Sequence, residues 1–386
     1  MSKSTSQMIL SSPVTHIDWI SQHGEKIGHG PKSVKYILDR CKQGGWTRLY
    51  WRCLDGGLAC YRSKLRDGEE KGYVPDNYHA WSSPGKPLPD MFSPYKKFDC
   101  LAEAVDYGHK IGLEIHAWVS INEEDHGWGL QSRFTQAHPE YRWVRRNYCP
   151  YNSQISFAFP EVREYQLETV REILQYDVDG IFFDWIRTGD VRNNPQTTPD
   201  GTADYGYEIP LVEGFKKKYK IDPRTIPNND LRWVKFRCEP QTIFMREAHK
   251  LIRKTKGKQF PISMMSHHPW GIRGVDGPIN GCLHGQLIDI QTWAKERLID
   301  EVVVAGYYRK GGTPEKALKY IKEQVGNRCK IWMYWWVPGS MEDFLKSLKT
   351  ARKCGATQIL FWESDYVENR VEFQKAMGEW LKTAGG

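Results

Sequence analysis

Seven short apolar runs, separated by segments of helical periodicity, constrain the fold of this 386-residue chain more than any other feature. They are Thr47–Cys53, Leu113–Val119, Asp179–Trp185, Phe260–Ser266, Glu301–Tyr308, Lys330–Trp336 and Thr357–Glu363. Near-continuous apolar stretches of this length, spaced by helices, mark parallel strands covered on both faces. An eighth is expected within Met8–Ile20. Among the helices, Phe98–Gly112 stops on its glycine, and Glu161–Tyr176 carries Val162, Tyr165, Leu167, Val170 and Leu174. Thr313-Pro314-Glu315 opens another, with Thr as N-cap and Pro in the first turn. Ser340–Cys354 and Asn369–Lys382 are amphipathic. Eight strands alternating with helices predict an α/β chain, a (β/α)8 TIM barrel with long βα loops, forming one domain over residues 1–386. No Gly-x-Gly-x-x-Gly follows a strand and no P-loop sequence occurs, which counts against an open dinucleotide-binding sheet and excludes a P-loop.

Composition removes several function classes. No run of 18 apolar residues exists, so no membrane span is expected. The net charge of +8 is spread along the chain, apart from Lys216–Lys218 and Arg253–Lys258. Solvated helix faces explain it, and without a basic stripe no nucleic-acid partner is expected. A mild attraction for an acidic substrate survives. Nine cysteines, an odd number with no Cys-x-x-Cys pair, read as single thiols rather than a disulfide framework. The first residues lack the apolar core of a signal peptide. A native start therefore implies the cytoplasm, and a trimmed export signal implies the periplasm or secretion. No cofactor is predicted, and the oligomeric state is left open.

In a barrel of this type the active site lies where strands end and βα loops begin. The long loops are Leu54–Lys97, Ile121–Phe159, Ile186–Gly206 and His267–Leu287, enough to wall a deep cleft. Asp184 ends the run DGIFFDWIR at that face, where a carboxylate can act as nucleophile or base. Arg187, three residues on, can hold and polarise it. The competing reading is a structural Asp that caps the next segment. Asp179, ahead of the run, reads as a turn residue. Trp outnumbers Phe, 16 to 14, and its flat apolar face with a polar edge suits sugar rings.

Three segments resemble a known family. VDGIFFDWIR, with Asp184 and Arg187, is similar to the fourth-strand signature of bacterial glycosyl-hydrolase-like barrels, distant relatives of the α-galactosidase and α-amylase barrels. DIQTWAKERLIDEVVVAGYY resembles the same family through Asp289, Trp293 and the turn Leu298-Ile299-Asp300 into the sixth strand. GLEIHAWVS, followed by His138–Trp143, is similar to its third strand and loop. The resemblance covers roughly Phe98 to Tyr308. It implies a barrel that hydrolyses glycosidic bonds, with a carbohydrate as partner, and it does not fix the sugar.

Glycoside hydrolysis normally needs a second carboxyl group, protonated to assist the leaving oxygen. Glu363 closes the last run beside Trp362, where burial favours the protonated form. Strands four and eight face each other across a barrel, so Asp184 and Glu363 are the expected pair. Against this stands a buried ion pair of Glu363 with Arg187 or a lysine. Asp365 is the fallback. Glu123, Glu124 and Asp125 in the third-strand loop read more readily as solvated surface, and Asp55 is weaker still. Trp118, Trp185, Trp335, Trp336, Trp362 and Tyr308 are expected to stack on sugars at the rim. His116, His267 and His268 are candidates to bind hydroxyls, as is Asp289, which can instead cap its helix. Two other readings stay open. One is a barrel that binds glycans without catalysis. The other is a metal-dependent hydrolase using His16, Asp18, His116 and His267 or His268, although no complete ligand set is apparent and no metal is predicted.

Overall fold

The structure is a computed structural model that describes residues 9–16, 19, 27–28, 30–66, 98–124, 132–184, 197–267, 269, 281–305, 311–336, 340–356, 358–362, 375 and 379. In chain order its strands are β1 (Ile9–Val14), β2 (Arg48–Arg52), β3 (Leu54–Asp55), β4 (Leu58–Ala59), β5 (Glu114–Val119), β6 (Arg142–Val144) and β7 (Pro150–Ile155). β8 (Gly180–Asp184), β9 (Ile262–His267), β10 (Glu301–Ala305), β11 (Lys330–Trp336) and β12 (Gln358–Trp362) follow. The helices are α1 (Pro31–Gln43), α2 (Cys100–Lys110), α3 (Arg133–Ala137), α4 (Pro160–Ile173), α5 (Ile209–Tyr219), α6 (Leu231–Lys256), α7 (Ile290–Lys295), α8 (Pro314–Val325) and α9 (Met341–Lys353).

Eight strands close into one barrel in the order β1-β12-β11-β10-β9-β8-β5-β2. Every neighbouring pair is parallel. Followed once around, the registers return with a stagger of about eight residues, the shear of a TIM barrel. The eight expected apolar runs are these eight strands, and the eighth is Ile9–Val14. Helix starts follow the sequence signals. Asp99, Thr313 and Ser340 each cap the first turn by accepting from the backbone N–H of Ala102, Lys316 and Asp343. The expected helix at Asn369–Lys382 lies outside the described residues except at 375 and 379. Among the described residues no helix is long and apolar enough to cross a membrane.

Strand ends are clamped below the barrel by two aspartates used alike. Asp179 Oδ2 accepts from Ile115 N at 2.7 Å and lies 2.9 Å from His109 Nε2. Asp300 Oδ2 accepts from Ile262 N at 2.8 Å and from Arg253 Nη2 at 2.7 Å. Each carboxylate therefore ties the start of one strand to the basic last turn of the helix before it, and Asp179 does more than make a turn.

Closure stacks the inward side chains in layers. At the base, Arg48 Nη1 reaches Glu301 Oε2 at 3.2 Å and Gln358 Oε1 at 3.4 Å, and its guanidinium lies over the Trp332 ring. Above sits an apolar column of Tyr50, Phe182, Met265, Val303, Trp332 and Leu360, capped by Trp118, Tyr334 and Trp362. His116 belongs low in this interior. It is fully buried, 5.4 Å from the Tyr50 ring and 3.4 Å from Glu114 Oε2, and burial pushes its imidazole down to about 4. The expected sugar-binding role for His116 is corrected on this ground, because its side chain is fully buried in the barrel interior, two residues before Trp118 on β5.

Two antiparallel hairpins lie within the long loops, β3–β4 after β2 and β6–β7 after β5. Neither was expected from the sequence. The strands of the first are too short to show a period of two, and the second is interrupted by charged residues.

Gly180 faces His116 so closely that an added Cβ would overlap the imidazole ring. Gly180→Ala should therefore lower stability by about 1–3 kcal/mol through overpacking. Combining it with His116→Ala should recover much of that loss in urea titrations. A Gly180→Ala protein as stable as the parent would contradict this packing.

Candidate active site

Asp184 is the last residue of β8 and fully buried. It faces inward because Gly180 and Phe182, four and two positions earlier, face the interior and side chains alternate along a strand. Its Oδ2 accepts a hydrogen bond of 3.1 Å from the indole Nε1–H of Trp118 on β5, next to β8 in the barrel. Trp118 is 1% exposed. The Arg52 guanidinium lies 5.1 Å from the centroid of its ring, and Trp362 meets it edge-on at 5.3 Å and 71°. The expectation that Trp118 stacks on a sugar is corrected. Its ring is sandwiched within the protein, and its polar edge is spent on Asp184. Trp362 is 6% exposed and packs between Trp118 and Tyr334.

Arg52 ends β2 as a buried cation. Its Nε donates to Leu54 O at 2.7 Å, and its Nη2 lies 3.8 Å from Glu123 Oε2. Glu123 and Glu124 are both fully buried, which corrects their reading as solvated surface. Glu123 pairs with Gln154 across a bridge that ties the β5 loop to β7. Glu124 accepts from Arg66 at 3.0 Å, Thr135 Oγ1 at 3.0 Å and Gln166 Nε2 at 3.2 Å. With its oxygens engaged in this way, Glu124 fastens two loops to α4 and is not free to act as an acid.

Asp289 is the N-cap of α7, its oxygens accepting from Thr292 N at 3.0 Å and Thr292 Oγ1 at 2.9 Å. Its sugar-binding assignment gives way to the capping alternative. His267, Trp335 and Trp336 close β9 and β11 at the same end of the barrel as Asp184, with side chains outside the described residues. Trp185, Arg187, His268, Tyr308, Glu363, Asp125 and Asp365 also lie outside them. His16 packs beside Trp51 and Phe98 with Nε2 2.7 Å from Ser33 Oγ, whereas His116 lies against Tyr50 in the barrel interior. Among the described residues no group of three or more His, Cys, Asp and Glu is placed to hold a metal ion.

Loop residues that follow β5 and β8 in the sequence pack against one another. Trp143 of β6 stacks on Tyr205 at 3.8 Å and 4°, with Tyr151 edge-on to both. Arg237 of α6 donates to Ala203 O at 2.8 Å, Tyr205 O at 2.7 Å and Asn228 O at 2.9 Å. Glu208, the residue before α5, is buried and accepts from Val144 N at 3.2 Å. Burial pushes its carboxyl from the ordinary 4.5 up to about 7, against the pull of the Val144 N–H and Arg237. Sequence reasoning passed over Arg52 and Glu208. The available signal was a charged residue at i and i+4 in RLYWR, which places Arg48 and Arg52 on one strand face with Tyr50.

Three comparisons bear on this arrangement. Residues 81–331 match the family described as "Glycosyl hydrolase-like 10". The glycosyl hydrolase YngK of Bacillus subtilis (strain 168) is 24% identical over 179 residues, 44% of this chain. An S-layer-related protein of Niallia circulans is 31% identical over 140 residues, 30% of this chain. The matched stretches make up 31% and 8% of those two proteins, so the chain spans under a third of the curated relatives it matches. In fold, the catalytic domain of β-amylase from Paenibacillus polymyxa superposes with a TM-score of 0.59, covering 93% of each chain at 11% identity.

A raised carboxyl binds its proton more tightly in the folded than in the unfolded state. Its contribution to stability is complete below about pH 4.5 and is lost as pH rises through about 7. Wild-type protein should lose stability between pH 5 and pH 8 relative to Glu208→Gln in guanidinium titrations. Parallel pH profiles for the two proteins would contradict the assignment.

Proposed function

Because the chain belongs to the glycosyl hydrolase-like 10 family, we propose that it hydrolyses O-glycosidic bonds of an oligo- or polysaccharide, with Asp184 as nucleophile or base. The observation that carries this reading is the placement of Asp184. It is an inward carboxylate at the last residue of β8, in the layer where barrel enzymes do their chemistry, and a buried indole N–H holds it. The fold alone does not establish an activity, since one barrel hosts many chemistries. The family and this carboxylate together favour glycoside cleavage.

Glu363 is the proposed general acid. It follows Trp362, the last residue of β12, and β12 lies opposite β8 in the strand order. In the proposed reaction Glu363 protonates the leaving oxygen while charge develops at the sugar's anomeric carbon. At a carboxyl separation of about 5–5.5 Å Asp184 attacks that carbon as the leaving group departs, and water deprotonated by Glu363 then hydrolyses the glycosyl ester; at about 6.5–9.5 Å Asp184 instead takes a proton from a water that attacks the carbon directly. Arg187, Trp185, Tyr308, Trp335 and Trp336 are proposed to bind the sugar, with His267 and His268 on its hydroxyls. A non-catalytic glycan-binding barrel is the competing reading, favoured by the burial of Asp184.

Asp184→Asn should abolish hydrolysis of defined oligosaccharides by at least about 1000-fold while leaving fold and binding intact, because the nearly isosteric amide neither attacks nor accepts a proton. Glu363→Gln should also slow turnover, but least on aryl glycosides whose leaving group needs no protonation. A wild-type protein that binds glycans and cleaves none would favour the binding reading. An active Asp184→Asn protein would remove Asp184 from the reaction.

A further inference from the structure

Asp184 is held by a residue that is itself held by Arg52 and Trp362. An indole N–H can only donate, and an ionised carboxylate can only accept, so the bond from Trp118 Nε1 to Asp184 Oδ2 has one possible sense. Bonds of this kind strengthen with the charge on the acceptor. The guanidinium of Arg52 over the Trp118 ring adds a second effect. In a buried site a cation above an aromatic face is attracted to its π-density, and by drawing that density it makes the ring N–H a better donor. Arg52 is fixed in turn by Leu54 O and by Glu123, which keeps the cation over the ring. Trp362 packs edge-on against the same ring at 71°.

We propose that Arg52 and Trp118 are positioning residues for Asp184. Trp118 fixes the bearing of the carboxylate, and Arg52 holds and polarises the indole. Neither touches the substrate. The inference rests on the glycosidase reading of Asp184 and adds a device that no one segment of the sequence contains, since the two residues come from β2 and β5.

The test needs one readout that requires no substrate. In the full-length protein labelled with 15N-tryptophan, the Trp118 indole resonance is identified by its loss in Trp118→Phe. It should move in Asp184→Asn, where the charged acceptor is gone, and in Arg52→Met, where the cation is gone. The second readout is the split between kcat and KM on a panel of 4-nitrophenyl glycosides, with rates normalised to the folded fraction. Trp118→Phe and Arg52→Met should lower kcat about 10- to 100-fold, the worth of a hydrogen bond to a charged group. KM should change little, and Arg52→Lys should restore most of the loss. Lost packing alone would lower the yield of folded protein without lowering kcat of the folded fraction. An indole resonance indifferent to Asp184→Asn, or a kcat unchanged in Trp118→Phe, overturns the proposal. A wild-type protein inactive on every glycoside overturns the glycosidase reading and the positioning role with it. The indole signal distinguishes that outcome, because it reports the Trp118–Asp184 bond without turnover.

Discussion

The hydrogen-bonded closure of β1 on β12 is the constraint from which the rest of this molecule follows. A closed parallel barrel has no free edge, so every inward side chain must fit among its neighbours in stacked layers. Polar groups inside such a stack are costly unless paired. Here they sort to the two ends. Arg48 and Glu301 pair at the base, and Arg52, Trp118 and Asp184 gather at the top, with an aromatic column between them. Removing one partner of a buried ion pair such as Arg48–Glu301 costs about 3–5 kcal/mol, so the base layer depends on both members of the pair. The same physics at the other end puts a carboxylate where barrel enzymes act.

Much of the architecture was legible from sequence because buried parallel strands leave a strong trace. Each of the eight runs coincides with a barrel strand, and the caps Thr313 and Ser340 start their helices as expected. The hairpins β3–β4 and β6–β7 were not legible. One has two-residue strands, and the other mixes Arg142, Arg145 and Arg146 with its aromatic residues. Their stability comes from tertiary partners such as Tyr205 and Arg237, which no local pattern announces.

The site was legible in part. Asp184 stood out because an acid ending an apolar run has few structural reasons to be there. Trp118 was not read as a partner of Asp184. Trp118 carries the same sequence signal whether it stacks on a ligand or bonds a neighbour, and only the register of β5 against β8 decides between them. Glu123 and Glu124 misled for the opposite reason. Consecutive acids in a loop look solvated until Arg52 and Arg66, both distant in sequence, are brought against them. Burial of long-range ion pairs is a property of the fold, and a single chain of letters does not record it.

Chemical rescue of Asp184→Gly tests the central claim most directly. Removing the side chain opens space for a small anion at the position of the carboxylate. If Asp184 supplies the reacting oxygen or base, added azide should restore turnover of an activated aryl glycoside and yield a glycosyl azide. Hydrolysis by Asp184→Gly at the wild-type rate without azide would contradict the account and show that the chemistry resides elsewhere in the barrel.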